Sequence, residues 1–209
     1  MKFENVGIFF DRDGTINTEV DYLSNAEDLE LIPGIADAIR EANSLGVKVF
    51  VITNQSGIAR GLLTQRGLKE IHSRLEEMLA RQGAKIDAIY YCPHHPESGF
   101  PPYNVACECR KPGTGMLRTA AREFNVDLSS SFVVGDKVVD VKAGENAGCT
   151  SILVLTGYGT AEKEECLEQT NVAYIAGNAL EAWQFVKRTL QGRNHRSAKK
   201  RSFAKRTVR

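Results

Sequence analysis

The chain has no run of eighteen apolar residues, so it offers no segment long enough to cross a membrane as a helix. It also lacks the basic start, extended apolar stretch and small-residue cleavage site of an export signal; the acidic pair Asp11 and Asp13 follows a short apolar run instead. A cytoplasmic protein is therefore expected. Cysteines number only five, an odd count that, without an export signal, argues against a disulfide framework. There is no internal repeat. From Lys187 to the end there is no Asp or Glu, while ten Lys or Arg fall there. The net charge of +1 conceals this asymmetry, since in the rest of the chain 17 basic residues face 26 acidic ones. A body of that sign holds an anion only by concentrating positive charge locally, through a metal ion and a few Lys or Arg. What is present, 42% hydrophobic and 25% charged residues in 209, suits one domain with a full core.

The continuous apolar run at 6–10 reads as a strand buried on both faces, 47–52 as a second buried strand, and 86–91, 132–134 and 151–155 as further strands, with 172–175 as a sixth candidate. Between them lie helical patterns. Ile35, Ala38, Ile39, Ala42 and Leu45 recur at helical spacing between Pro33-Gly34 and Gly46. Leu68, Ile71, Leu75, Met78 and Leu79 line one face of a helix over 64–81, and further helices are expected at 115–124, 137–147 and 179–190. Residues 92–112 read as a long irregular stretch. Strands alternating with helices predict an α/β fold, a Rossmann-like three-layer sandwich around a central parallel sheet. One domain over 1–190 is expected. The segment 191–209 is too poor in apolar residues to pack and is expected to be a disordered basic tail.

In such sheets ligands bind beyond the carboxyl ends of the strands. Asp11/Asp13, Thr53/Asn54, Cys92/His94 and Asp136 all stand at those ends. Asp11 and Asp13, two apart before Gly14, can face one pocket. A carboxylate that attacks a phosphate dianion must overcome repulsion, and a bridging magnesium removes it. Asp11 is then the nucleophile. Asp13 protonates the leaving oxygen and later deprotonates the hydrolytic water. The plain alternative is a turn that caps the next segment or binds calcium, but T-I-N-T follows, not the further acidic ligands of an EF-hand loop. The hydroxyl and backbone N–H groups of T-N-Q-S-G can hold phosphoryl oxygens. Asp136 is another carboxylate for the metal, with Asp140 one helical turn on. Lys111 is a compact cation for the phosphate, and Arg110 can engage a second anion bidentately.

DRDGT, ITN, RKP and VVGDKVVD, in that order, resemble the signature of the haloacid dehalogenase superfamily over residues 6–156. The resemblance implies an aspartyl-phosphate mechanism. Thr53, Asn54 and Lys111 would bind the phosphoryl group; Asp11, the Asp13 carbonyl and Asp136 would bind magnesium. The short linker between the first two strands leaves room for a minimal cap only. Cys92, His94, Cys107 and Cys109 supply a closed tetrahedral donor set, which points to a structural zinc site in the loop 92–109. His95 is the rival to His94, and the plain alternative is three buried free thiols. A zinc here would stiffen the segment ending at Arg110 and Lys111. Cys149 and Cys166 read as small packing residues.

Two zinc-bearing subfamilies fit. ITNQSGIARG with YYCPHHP and CECRKP resembles the heptose bisphosphate phosphatases, which implies removal of the 7-phosphate from D-glycero-D-manno-heptose 1,7-bisphosphate on the way to surface heptose conjugates such as lipopolysaccharide. The other subfamily acts on histidinol phosphate. On the heptose reading Glu19, Val20, Asp21, Tyr22, Gln55, Ser56, Arg110 and Lys137 contact a small phosphosugar, and the protein works as a monomer. Arg60 reads as a surface residue. A polynucleotide end-phosphatase is the third reading, resting on the basic tail; neither a nucleic-acid nor a membrane partner is expected. A non-enzymatic zinc-stabilised binding module leaves the acidic strand ends unexplained.

Overall fold

The computed structural model describes the backbone of residues 2–206 and side chains through Arg193. Six parallel strands form one sheet: β1 (Gly7–Phe10), β2 (Lys48–Asn54), β3 (Ala88–Cys92), β4 (Phe132–Gly135), β5 (Thr150–Val154) and β6 (Tyr174–Ala176), in the order β3-β2-β1-β4-β5-β6. The chain builds outward from β1 to β3, returns to the centre and builds outward again from β4. β1 pairs with both halves, Ile8 lying opposite Val49 and Phe132. The crevice between β1 and β4 is therefore the topological switch point, where sheets of this kind bind ligands.

Alternation along β1 sets the layers. Ile8 and Phe10 pack with α1 (Ile35–Ser44), α2 (Gln65–Ala80) and the start of α6 (Ala179–Arg206); Phe9 packs on the other face with α3 (Gly115–Phe124) and α4 (Val138–Ala147). Both faces are covered, as the unbroken apolar runs require. Each fully buried Ile, Leu, Val or Phe contributes roughly 1.5–3 kcal/mol. Trp183 is wholly buried and donates its indole N–H to Glu41, 2.9 Å away, which also receives Lys187 at 2.9 Å and so ties α6 to α1. The Thr64 hydroxyl caps α2 by accepting from Gly67 N at 3.0 Å, and Asp140 Oδ2 caps α4 by accepting from Lys137 N at 3.0 Å.

Three expectations need correction. An unforeseen helix, α5 (Gly159–Gln169), stands between β5 and β6. It buries only Gly159 and Cys166, so it carries no apolar stripe to read. β3 begins at Ala88 because the Asp87 carboxylate, not a backbone carbonyl, accepts Val49 N at 2.9 Å. The last helix does not stop at 190. Its backbone runs on to Arg206, through a segment that has no proline and is rich in Lys and Arg, which propagate a helix already nucleated on the core. The side chains of this segment from residue 194 on, and the whole of residues 207–209, lie outside the described residues.

Candidate active site and zinc loop

β1 delivers Asp11 to the switch point, where Asp11 N donates to Val134 O of β4 at 2.8 Å. β4 delivers Asp136 beside it, and the first turn of α4 adds Asp140. These three side chains are buried, and a carboxylate oxygen of each lies within 4.8 Å of the others. Gly14, at φ 79°, is required here, since a Cβ at that position would collide with Asp136 Oδ2. Lys111, only 3% exposed, enters from the loop after β3. Its Nζ donates to Asp11 Oδ1 at 2.7 Å and Ile52 O at 2.9 Å, and forms an ion pair with Asp140 Oδ1 at 2.7 Å.

One lysine does not neutralise three buried carboxylates. Burial pushes Asp11 up to about 7, with Lys111 opposing and the Asp140 and Asp13 charges assisting. Burial, then Asp11 and Asp140, pushes Asp136 up to about 8. Burial works against the Lys111 charge, yet Asp11 and Asp140 hold its pKa above the usual ammonium range. Asp136 Oδ2 accepts from Tyr158 N at 2.8 Å, while its buried Oδ1 has no hydrogen-bond partner among the described residues. An all-oxygen set with an excess of negative charge and an orphaned buried oxygen fits a hard divalent cation such as magnesium. Asp140, outside the expected magnesium set of Asp11, Asp13 and Asp136, belongs to the cluster. The Asp13 carboxylate does not.

Asp13 faces the same cavity but is gripped from behind. Its Oδ1 accepts from Arg12 Nε at 3.1 Å, Arg12 NH2 at 3.0 Å and Asn17 Nδ2 at 3.0 Å, and its Oδ2 from Gln55 Nε2 at 2.9 Å. Burial alone would raise its pKa, but Arg12, then Asn17 and Gln55, hold it below the usual carboxylate range. Arg12 is 1% exposed and its NH1 lies 3.2 Å from His72 Nε2 on α2. Burial and the Arg12 charge hold His72 down to about 3, so its ring is neutral.

A cavity of about 350 Å³ opens over this floor. Of the expected contacts, Asp11, Asp13, Glu19, Asp21, Tyr22, Thr53, Asn54, Gln55, Ser56, Arg110, Lys111 and Lys137 line it, whereas Val20 is exposed and does not. Asn54 spends its side-chain amide on the Lys111 peptide, donating to Lys111 O at 3.2 Å and accepting from Lys111 N at 3.0 Å. Gln55 likewise bonds Asp13 and Thr53 Oγ1, the latter at 2.8 Å. Both amides hold other site residues in place. Over the mouth, Lys137 reaches Glu19 at 3.2 Å and stacks on Tyr158, whose hydroxyl donates to Asp21 at 2.8 Å.

The sequence reading missed Arg12, Asn17, His72 and Tyr158. His72 had a visible signal: it stands four residues after Leu68 and three before Leu75, within the buried stripe of α2. Arg12 and Asn17 read as polar turn residues, and Tyr158 follows a strand end with no motif around it.

The zinc-type donors also converge. Cys92 and Cys107 Sγ lie 3.5 Å apart, Cys107 and Cys109 Sγ 3.1 Å, and His94 Nδ1 lies 3.7 Å from Cys92 Sγ and 3.4 Å from Cys109 Sγ. No disulfide joins them. Tetrahedral zinc with its usual Zn–S bonds sets sulfurs ~3.8 Å apart, so the cluster needs only slight expansion to hold the ion. His95 points elsewhere, toward Arg60 at 3.5 Å and Glu97 N at 3.3 Å. The zinc loop steers the site directly, since Arg110 NH1 donates to His94 O at 3.1 Å. Cys149 and Cys166 pack against the cores on the α3/α4 and α5 side of the sheet.

A strand-end aspartate pair with a buried lysine at the switch point of this sheet defines the haloacid dehalogenase class of phosphohydrolases, and a family model described as "HAD-hyrolase-like" matches residues 108–182. A D-glycero-beta-D-manno-heptose-1,7-bisphosphate 7-phosphatase from Yersinia pestis is 42% identical over 75% of this chain and 85% of its own, and one from Rhodopseudomonas palustris is 47% identical over 67% and 78%. The solved D,D-heptose 1,7-bisphosphate phosphatase of B. bronchiseptica, complexed with magnesium and phosphate, superposes with a TM-score of 0.75 at 34% identity, covering 90% of this chain and 99% of that one. The chain belongs to the D-glycero-beta-D-manno-heptose-1,7-bisphosphate 7-phosphatase family.

Proposed function

We propose that the protein removes the 7-phosphate of D-glycero-β-D-manno-heptose 1,7-bisphosphate, leaving the heptose 1-phosphate. The observation that carries the reading is a pair of adjacent cations with separate anchors in one cavity. Lys111 is fixed at the floor against Asp11, and Arg110 is fixed at the rim by the His94 carbonyl. Two cations with separate anchors suit the scissile phosphate and a second anion on the same sugar.

An Asp11 carboxylate oxygen attacks phosphorus as the bond to the sugar oxygen breaks. Lys111 and the Thr53 hydroxyl hold the phosphoryl oxygens; Asp13, ionised before the ester binds, takes up a proton with the bound ester and gives it to the departing sugar oxygen. Asp13 then takes a proton from the water that splits the aspartyl phosphate. Asp11, Asp136 and the Asp13 carbonyl would hold magnesium, with Asp140 beside them. When bound, the ion neutralises the repulsion between these carboxylates and the incoming dianion. Asn54 and Gln55 serve indirectly, by holding Lys111, Thr53 and Asp13. Glu19, Asp21, Tyr22, Ser56, Arg110 and Lys137 line the sugar and its second phosphate. Cys92, His94, Cys107 and Cys109 would hold zinc, which would keep the Arg110–Lys111 segment in register.

We take the monomer as the working unit, with residues 1–190 as the catalytic domain and 191–209 dispensable. Five free cysteines and a thiolate metal site suit the reducing cytoplasm. Among the described residues no helix is long and apolar enough to cross a membrane. The product, an anomeric phosphate, has the chemistry for nucleotidyl activation on the way to surface heptose conjugates.

The test is an assay with magnesium on both anomers of the bisphosphate and on histidinol phosphate. The β-bisphosphate is expected to show the highest kcat/KM, with no turnover after chelation. A higher kcat/KM on histidinol phosphate overturns the substrate.

A further inference from the structure

Arg12 is an anomaly in a strand-end turn. It is a guanidinium withdrawn from water to 1% exposure, and burying such a charge costs several kcal/mol unless its donors are met. Two of its nitrogens grip one carboxylate, that of Asp13. The third faces His72 Nε2 at 3.2 Å. An arginine nitrogen only donates, so His72 Nε2 is the acceptor and its proton sits on Nδ1. The His72 ring is itself wedged in the core, 9% exposed and edge-on to Tyr91 at 5.9 Å between centroids. A continuous chain therefore runs from α2 through Arg12 to the group assigned the proton transfers, and no link of it touches the sugar cavity except Asp13 and Arg12.

We propose that His72 and Arg12 are positioning residues: the neutral His72 ring fixes the Arg12 fork, which fixes the plane of the Asp13 carboxyl toward the leaving oxygen. The inference rests on the function proposed above and deepens it. Orientation matters because a general acid is effective only with its proton aimed along the line to the leaving atom. Arg12 Nε and NH2 both donate to Asp13 Oδ1, and NH2 also lies 2.9 Å from Oδ2, so the guanidinium spans the whole carboxyl, while Asn17 and Gln55 add one bond each, to Oδ1 and Oδ2.

The leaving group separates this role from a merely structural one. A sugar alkoxide must be protonated as it leaves, whereas nitrophenolate departs without a proton. His72→Leu removes the acceptor; His72→Gln keeps one. In full-length protein with magnesium, His72→Leu is expected to lower kcat/KM on the heptose bisphosphate by about tenfold or more, a fraction of the ~10²–10⁴ that a general acid is worth. On p-nitrophenyl phosphate kcat/KM should change by less than about threefold, because that ratio includes only steps through departure of the leaving group. His72→Gln should restore the sugar ester to within about threefold of the parent. Equal losses on both esters, or an undiminished His72→Leu enzyme, overturn the proposal. Should His72→Leu not fold, Arg12→Lys, which keeps the charge and loses the fork, must show the same divergence between esters, and equal losses there overturn it too. If the parent enzyme ignores the heptose bisphosphate, the substrate reading fails separately, and the comparison is made with whichever alkyl phosphate it does hydrolyse.

Discussion

The switch-point cluster and the zinc loop are two polar centres built on opposite principles. The first is made by strand ends. Asp11, Asp136 and Lys111 are buried, held by a rigid sheet, and held against electrostatic preference: burial and like charges raise both aspartates, and one lysine answers three carboxylates. The second is made by an irregular loop with few apolar residues, whose donors face one another without buried partners of another kind. The strand ends sit on a sheet with an apolar core of its own, whereas the loop has little apolar packing and is expected to rely on a bound metal. A strained, over-determined site suits chemistry, and a closed donor set suits scaffolding. Arg110 and Lys111, side by side, join the two.

The largest expected effect falls in the first region. Asp11→Asn should lower turnover by about 10⁴–10⁶-fold, as loss of a nucleophile does. Its Tm should stay level or rise, because one of three mutually repelling buried carboxylates is gone. Turnover assays with calorimetry check this, and a large drop in Tm would show that the cluster is structural after all. Arg110→Ala comes next. It should raise KM for the bisphosphate about tenfold and leave kcat, and KM for a monophosphate, nearly unchanged. A fall in kcat on both substrates would mean that Arg110 acts on the scissile phosphate. Cys107→Ser should have the least effect on kcat at a temperature where the protein stays folded, yet release zinc and lower Tm, by about 2–4 °C for each kcal/mol lost. Metal analysis with melting curves reads it. Full stability in the zinc-free variant would erase the contrast between the two regions.

Much of both centres was legible because it is written in local order. DRDGT, ITN and GDKVVD each follow an apolar run, and a strand end in a parallel sheet fixes where such residues gather; RKP is legible as a compact motif in the loop after β3. The Cys/His pairs are likewise close in sequence. What stayed hidden depended on long-range packing. The Asp13 carboxylate read as a lone acid/base group, and only the fold turns Arg12, Asn17 and Gln55 onto it. Asn54 and Gln55 read as ligands for substrate; both line the cavity, and only the fold shows that their amides also bond Lys111, Thr53 and Asp13. Helix α5 escaped because its partners are few and its surface is charged, which leaves no periodic stripe.

The sequence by itself determined the parallel α/β architecture and which residues to look for, Asp11, Lys111 and the Cys/His group, since each stands in a pattern spanning a few residues. Tertiary structure alone decided which oxygens pair with which donors: Asp140 joining the metal cluster, Tyr158 capping Asp136, and His72 reaching Asp13 through Arg12. The physical reason is that hydrogen bonds and ion pairs act over about 3 Å, and residues far apart in the chain come that close only once the sheet and its two helical layers have packed.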